Sequence, residues 1–594
     1  MQKLFVKRRW NKMIRLFDTH YVRNMQELDG MWKVTMENAQ GQPLPGEYTM
    51  PVPGCFEQHP DFMDFRGHAV YSRKVMVKSD GNVRLEFKGV SHTGDVFWDG
   101  EKIAHHYNAF TPFSMVISGV KAGMHEIKVR IDNTFGEHSA LHVPNDYYTY
   151  GGITRPVVME MIPDVYLQQV HFTPKYVEGK WRADVEILLE NCADKTVTCG
   201  LQQYLSAENN AIHMIYEQGR GSNTREVWTA GMEKDRIEVL PGQIHCLAYT
   251  TETFPKVQSW SHENPVLYYL TTVLTLDGQV EDDLIERVGF REIQVENKRI
   301  LWNGTPLFVK GFNRHEDYAT VGCAIPLQLM VQDMDLMEAA GANAVRICHY
   351  PNDERFLDLC DERGMLVWEE NHARGFGLER MQNPHFEQQC EDCIREMIDS
   401  HYNHPAIFIW GILNECASET EEGREMYRKQ YEQIRSMDCS RPTTSATCRH
   451  FTDICLDLPD VVSFNMYSGW YQDVDPDARN REEMEWIRRS GGEGKPVIVS
   501  EVGAAALYGY RDRSRCKWSE ERQCDILREN LEVYMKDPDI SGLFVWQFAD
   551  CRVTEEEWFP TRARCHNNKG VVDEYRRPKE AYDTVAEMFH KYWN

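Results

Sequence analysis

The sequence has no apolar stretch approaching ~18 residues, so no membrane-spanning helix is expected. It has no surplus of positive charge: 66 Lys and Arg face 92 Asp and Glu, a net charge of −26. Phosphate binding needs a basic face, so a general nucleic-acid binder is not expected, and neither is attachment to an anionic membrane. The opening run from Met1 to Met13 is basic but lacks the apolar core and small-residue cleavage site of a secretory signal. Met13 offers a second start, which would make residues 1–12 an upstream extension. The 17 cysteines lack the regular spacing of a disulfide framework, and Cys348, Cys360 and Cys448 sit inside apolar runs. Reduced thiols in a cytoplasmic protein are expected. The single CxxC, Cys390-Glu-Asp-Cys393, has no second pair or histidines at zinc-ligand spacing, so no metal is expected.

The chain of 594 residues is 42% apolar and 27% charged, as in a folded protein. At ~100–200 residues per domain, that length implies several domains. Residues 1–165 have all-β texture. Val83, Leu85 and Phe87 alternate with Arg84, Glu86 and Lys88, and Ile127, Val129 and Ile131 alternate likewise. That is the period of strands with one wet face. Asp99-Gly100 after Val96-Phe97-Trp98 predicts a hairpin, and the whole predicts a β-sandwich. Residues 166–293 repeat the pattern through Ala183, Val185, Ile187 and Leu189, at the length of an immunoglobulin-like sandwich.

From residue 294 to 594 short apolar runs alternate with amphipathic stretches. The runs are 307–313, 342–348, 365–370, 407–415, 443–448, 461–467, 496–503 and 542–550. Helical patterns cover 325–340, 352–363, 384–403, 419–437, 520–536 and 579–593. Eight strands with intervening helices predict a (β/α)8 barrel, whose chemistry sits at the carboxyl ends of its strands. Those ends are unusually polar here. They carry Asn313 to Asp317, Arg346 with His349 and Tyr350, Glu369-Glu370, Asn414-Glu415, Asn465 with Tyr467, Ser500-Glu501, and Asp550. Burying so many carboxylates unpaired would cost several kcal/mol each, so a functional mouth is expected.

Glu415 and Glu501 close the fourth and seventh runs. Two carboxylates facing each other across a barrel mouth suit glycoside hydrolysis, one as acid/base and one as nucleophile or base. Their mutual repulsion would keep one protonated near neutral pH.

The run His404-Pro-Ala-Ile-Phe-Ile-Trp-Gly-Ile-Leu-Asn-Glu415 resembles the acid/base signature of glycoside hydrolase family 2. Gly311-Phe-Asn-Arg-His-Glu-Asp317 and Gly341-Ala-Asn-Ala-Val-Arg-Ile-Cys-His-Tyr-Pro351 are similar to its first two barrel motifs. Gly289-Phe-Arg291 and Trp260 with Asn264 to Tyr268 resemble its immunoglobulin-like domain; Val52-Pro-Gly54 and Tyr71-Ser-Arg73 resemble its N-terminal sandwich. The resemblance runs from about Asp18 to the end. It implies Glu415 as general acid/base, Glu501 as nucleophile and Asn414 as holder of the substrate 2-hydroxyl. No cofactor is implied, and oligomerisation as dimer or tetramer is.

Asn465-Met-Tyr-Ser-Gly-Trp-Tyr471 looks like a run in family members closest to bacterial β-glucuronidases, and Asn567-Asn-Lys569 is similar to their Asn-x-Lys motif for the sugar carboxylate. An ammonium and an amide donor suit a uronate by charge-assisted hydrogen bonds. Arg562 and Arg564 lie near enough in sequence to add to that patch. By the same resemblance Asp146 contacts sugar hydroxyls and Tyr467 bonds the nucleophile; His315, His349, Asn465, Tyr471 and Trp546 are further subsite candidates. The segment after the third strand, from Asn371 to Pro384, is shorter than in many gut bacterial relatives, which predicts an open mouth for oligosaccharide or bulky aglycones. The stretch 550–566 departs from the family spacing and leaves the C4 configuration open between β-glucuronide, the first reading, and β-galacturonide. A catalytically silent sugar-binding protein on the same scaffold is the rival from another class.

Overall fold

The computed structural model describes residues 14–207, 227–554 and 561–592, with side chains throughout except at 227–233 and 235. The expectations about Met1 and Met13 lie outside the described residues.

The first region is a sandwich of a four-stranded and a six-stranded antiparallel sheet. Val83, Leu85 and Phe87 on one sheet and Ile127, Val129 and Ile131 on the other fill its core. The predicted hairpin is present: Trp98 pairs with Glu101 across Asp99 and Gly100, whose φ angles are +49° and +92°. Two consecutive positive φ angles match the right-handed twist of the flanking strands. The second region packs a three-stranded sheet on a four-stranded one around Trp181, Phe254 and Phe290. Ala183, Val185, Ile187 and Leu189 point into that core.

The third region closes an eight-stranded parallel barrel. Its strands are β1 (Val309–Arg314), β2 (Ala344–Ile347), β3 (Leu366–Glu370), β4 (Ile407–Asn414), β5 (Thr443–Thr447), β6 (Val462–Asn465), β7 (Val497–Val502) and β8 (Ile540–Val545). Each falls on a predicted run. Among the described residues seven helices of ten or more residues surround it: α1 (Leu327–Ala339), α2 (Glu354–Arg363), α3 (Phe386–His401), α4 (Glu421–Met437), α5 (Pro476–Arg489), α6 (Glu520–Lys536) and α7 (Glu580–Lys591). Helix α5 is the one the sequence pattern does not announce. Only Asn480, Glu483, Met484 and Ile487 of it are buried, too few apolar positions for a clear stripe. Its start is nonetheless encoded, because the Asp475 side chain caps Ala478 N and Pro476 opens the first turn. Cys390 and Cys393 lie on the buried face of α3, and burial pushes the Cys393 thiol up to about 12.

The polar strand ends divide into two sets, where the sequence pattern suggested one ring. Several are held by structural partners. Arg314 pairs with Asp333 at 2.9 Å, Glu316 with Arg155 at 2.7 Å, Glu369 with His401 at 2.8 Å and Asp550 with Lys579 at 2.8 Å. Glu415, Asn465, Tyr467 and Glu501 face the mouth.

Candidate active site

A cavity of about 460 Å³ opens at the carboxyl ends of the strands, lined among others by Glu415, Glu501, Asn465, Tyr467 and Trp546. Glu501 lies within β7, so a rigid strand fixes it. Its Oε1 accepts from Arg346 Nη1 at 3.0 Å, and its Oε2 accepts from the Tyr467 hydroxyl at 2.6 Å. Glu415 follows β4 directly and takes φ +55°, a left-handed conformation that is strained for a residue with a side chain. Its backbone N–H donates to Ala446 O, which anchors the strained residue to β5. Its Oε1 accepts from Asn465 Nδ2 at 2.9 Å, and its Oε2 lies 3.4 Å from Arg374 Nη2.

Beneath the pair, Arg346 is fully buried and saturated. It donates to both oxygens of Glu370 (3.0 and 2.8 Å), to Asn313 and Asn414 (3.0 and 2.9 Å), and to Glu501. One guanidinium thereby ties β1, β2, β3, β4 and β7 together, which five fixed donors allow and a lysine would not. Burial pushes the Glu501 carboxyl up to about 7, the nearby charge of Glu415 adds to that, and Arg346, the Tyr467 hydroxyl and Arg374 oppose it. Asn414 Oδ1 accepts from Arg346 and Asn465, which orients the amide and leaves its buried Nδ2 without a partner among the described residues.

At one end of the cavity Lys569 is 2% exposed, and its Nζ lies 3.4 Å from Asn567 Oδ1 and 5.3 Å from the Tyr471 ring centre. Among the described residues no carboxylate forms an ion pair with it. Asp146 reaches in from the first sandwich and meets Arg374 at 3.1 Å, Arg562 at 3.2 Å and Asn567 Nδ2 at 3.3 Å. Burial alone would raise its pKa, but Arg374, Arg562 and Lys569 hold it well below the usual carboxylate range.

Of the sequence-derived candidates, Asp146, Glu415, Asn465, Tyr467, Tyr471, Glu501, Trp546 and Lys569 line the cavity. Asn414 and Asn567 stand directly behind it through the contacts above. His315 and His349 form a layer behind Trp546, with ring centres 5.5 and 5.1 Å from the indole. Burial pushes the pKa of both histidines well below the ordinary value, and neighbouring cations reinforce this at His349. Arg564 does not join the site, which corrects the sequence expectation. It sits in a left-handed turn with Cys565 (φ +60° and +58°) that swings its side chain outward, 61% exposed, to Glu574. Arg562 alone supplies the expected basic neighbour. Sequence reasoning did not single out Arg374, Cys448, His450, Gln472 and Arg479, which also line the cavity. Arg374 had a usable signal: it is a lone cation four residues past the end of β3. Cys448 and His450 follow β5 just as closely.

Comparison with known proteins agrees with this architecture. Residues 293–593 match the family described as glycosyl hydrolases family 2, TIM barrel domain, and residues 165–291 match glycosyl hydrolases family 2. A β-galacturonidase from Eisenbergiella tayi, solved bound to galacturonate, is 47% identical over 98% of this chain and 100% of its own, with a TM-score of 0.89. A β-glucuronidase of Streptococcus agalactiae is 26% identical over 96% of both chains. A β-D-glucuronidase structure from Dictyoglomus thermophilum, at 23% identity and a TM-score of 0.82 over 98% of this chain, shares the fold.

Proposed function

The chain belongs to glycosyl hydrolases family 2 and is a glycoside hydrolase, and we propose that it is a retaining exo-β-hexuronidase of the β-glucuronidase-like kind. The observation that carries this is Lys569, a buried ammonium without a carboxylate partner at one end of the cavity that holds both glutamates. An unpaired buried charge is costly, and a sugar carboxylate would complete it. Asn567 would add an amide donor, and Asp146 would accept from ring hydroxyls.

In this reading Glu501 attacks the anomeric carbon. Both its oxygens already accept from fixed donors, the arrangement that suits the attacking anion, and this leaves the acid/base role to Glu415. Glu415 gives a proton to the leaving oxygen and then draws one from water, which hydrolyses the glycosyl-enzyme bond. The unpartnered Asn414 Nδ2 would donate to the 2-hydroxyl, a contact that strengthens as positive charge develops at the anomeric carbon. The first reading of the substrate is a β-D-glucuronide. The 47% identity to a named β-galacturonidase favours a second, the C4 epimer, alone or alongside the first.

The test is a side-by-side assay of nitrophenyl β-glucuronide, β-galacturonide and β-galactoside. Turnover of at least one uronide, with the galactoside about 100-fold slower or worse, is expected. A galactoside hydrolysed as well as either uronide overturns the reading, and binding of the sugars without any turnover favours the silent scaffold instead.

Three attributes complete the proposal. The chain divides into units at 1–165, 166–293 and 294–594. It works in the cytoplasm, consistent with all 17 cysteines being free thiols and with no helix among the described residues long and apolar enough to cross a membrane. It assembles as a dimer or tetramer.

A further inference from the structure

Beyond the residues already described, the cavity wall includes Cys448 and His450 after β5, Ser468 and Gln472 after β6, and Arg479 on α5. β5 is the neighbour of β4, which carries Glu415, so this wall flanks the acid/base and therefore the departing group. Cys448 lies close enough to feel the charges of both glutamates. Arg479 is the unusual member. Its guanidinium lies over the Phe451 ring with its carbon 4.6 Å from the ring centre, and its side chain is 12% exposed. Among the described residues it makes no side-chain hydrogen bond. The carboxylate beside it, Glu483 on the same helix, is 3.7 Å from Nε and also 3.1 Å from His450 Nδ1. Phe451, φ +64° and 42% exposed, supplies the aromatic face against the guanidinium. The exposed Gln472 adds an amide to the same wall.

We propose that this wall is a leaving-group subsite for an aglycone that itself bears a carboxylate, such as an acidic saccharide unit, with Arg479 as the group that pairs with it. A guanidinium with unused donors, pinned on an aromatic face at a cavity wall, is arranged for a planar anion. A neutral leaving group would leave those donors unmet when it displaces water. The substrate is then acidic on both sides of the scissile bond, with Lys569 gripping the first carboxylate and Arg479 the second. The inference rests on the hexuronidase reading of the same cavity.

The experiment compares 4-carboxyphenyl and 4-carbamoylphenyl β-D-hexuronides, which differ at the far end of the aglycone by a charge and little in shape. For the unaltered protein kcat/KM is expected to favour the carboxyphenyl substrate about 10-fold or more, the scale of one charge-assisted hydrogen bond. Arg479→Met is expected to bring that ratio to about 1, and Arg479→Lys to restore part of it. Equal kcat/KM on the two substrates in the unaltered protein overturns the subsite while leaving the hexuronidase reading intact. An unchanged ratio in Arg479→Met removes Arg479 from it. If the variant does not fold, the ratio in the unaltered protein alone decides. Turnover of neither hexuronide overturns the proposed function, and this inference with it.

Discussion

Two buried cations border the cavity under opposite conditions. Arg346 is surrounded by acceptors on four strands, and every contact is made before any ligand arrives. Lys569 is almost as buried but has one amide, the Tyr471 side chain and, beyond ion-pair distance, the charge of Asp146 for company. The first is a structural charge whose desolvation the protein itself offsets. The second is left for something else to offset. Burial alone therefore does not distinguish scaffold from site; the completeness of the partner set does.

The largest test of this contrast removes the anion that Arg346 supports. Glu501→Gln keeps an acceptor near Arg346 but deletes the nucleophile, so kcat on a nitrophenyl hexuronide is expected to fall about 10⁴-fold or more, with a retained fold by circular dichroism. Residual activity within about 100-fold of the original would take the role away from Glu501. Next in size is Glu415→Ala. Loss on an alkyl hexuronide, whose alkoxide needs a proton, is expected to exceed the loss on the nitrophenyl substrate by about 100-fold. Equal losses on both would count against Glu415 as the acid.

The two cations themselves give the middle of the scale. Arg346→Met strands Glu370 and Glu501 without their main donor and is expected to cost about 3–5 kcal/mol of stability, read by chemical denaturation. Lys569→Met deletes a cation that lacks a partner carboxylate. It is expected to leave stability level or higher, while lowering kcat/KM on the uronide about 10–100-fold and raising the relative rate on neutral pyranosides. A Lys569→Met protein that unfolds as readily as Arg346→Met would dissolve the distinction between them.

Much of this was legible in the residues. The barrel strands are buried on both sides, so they read as continuous apolar runs, and all eight were placed. Even β5, rich in threonine, falls in register because its hydroxyls find partners: Thr444 bonds Val461 O and Ser463. The motif context brought Glu415, Glu501, Asn465, Tyr467, Tyr471 and Lys569 to one cavity. What stayed hidden depends on side-chain direction rather than position. Arg562 and Arg564 are two residues apart, yet a left-handed turn sends only one inward, and no periodicity encodes that. Arg374 and Arg479 are charged residues in polar segments, where a cation at the cavity and a cation in water look alike. Strand-end carboxylates were equally ambiguous. Asp550 and Glu369 have the same sequence texture as Glu501 but spend their charge on Lys579 and His401.

The smallest expected effect sharpens the contrast from the other side, because it adjusts how completely Glu501 is served. The carboxyl is pushed up to about 7 mainly by burial, and the Tyr467 hydroxyl is one of the groups drawing it back. Attack on the anomeric carbon needs the anion, so kcat/KM should fall as pH drops through about 7, since protonation below that value removes the nucleophile. Tyr467→Phe deletes a donor to the ionised form and leaves the neutral form less affected. The folded-state pKa must then rise, and the acid limb of the kcat/KM profile is expected to move to higher pH by about one unit, the worth of about 1.4 kcal/mol of differential hydrogen bonding. Activity at pH well above 8 should recover more of the original rate than activity at 6. A limb that stays in place, or moves to lower pH, would mean that another group sets it and that Tyr467 serves the substrate rather than Glu501.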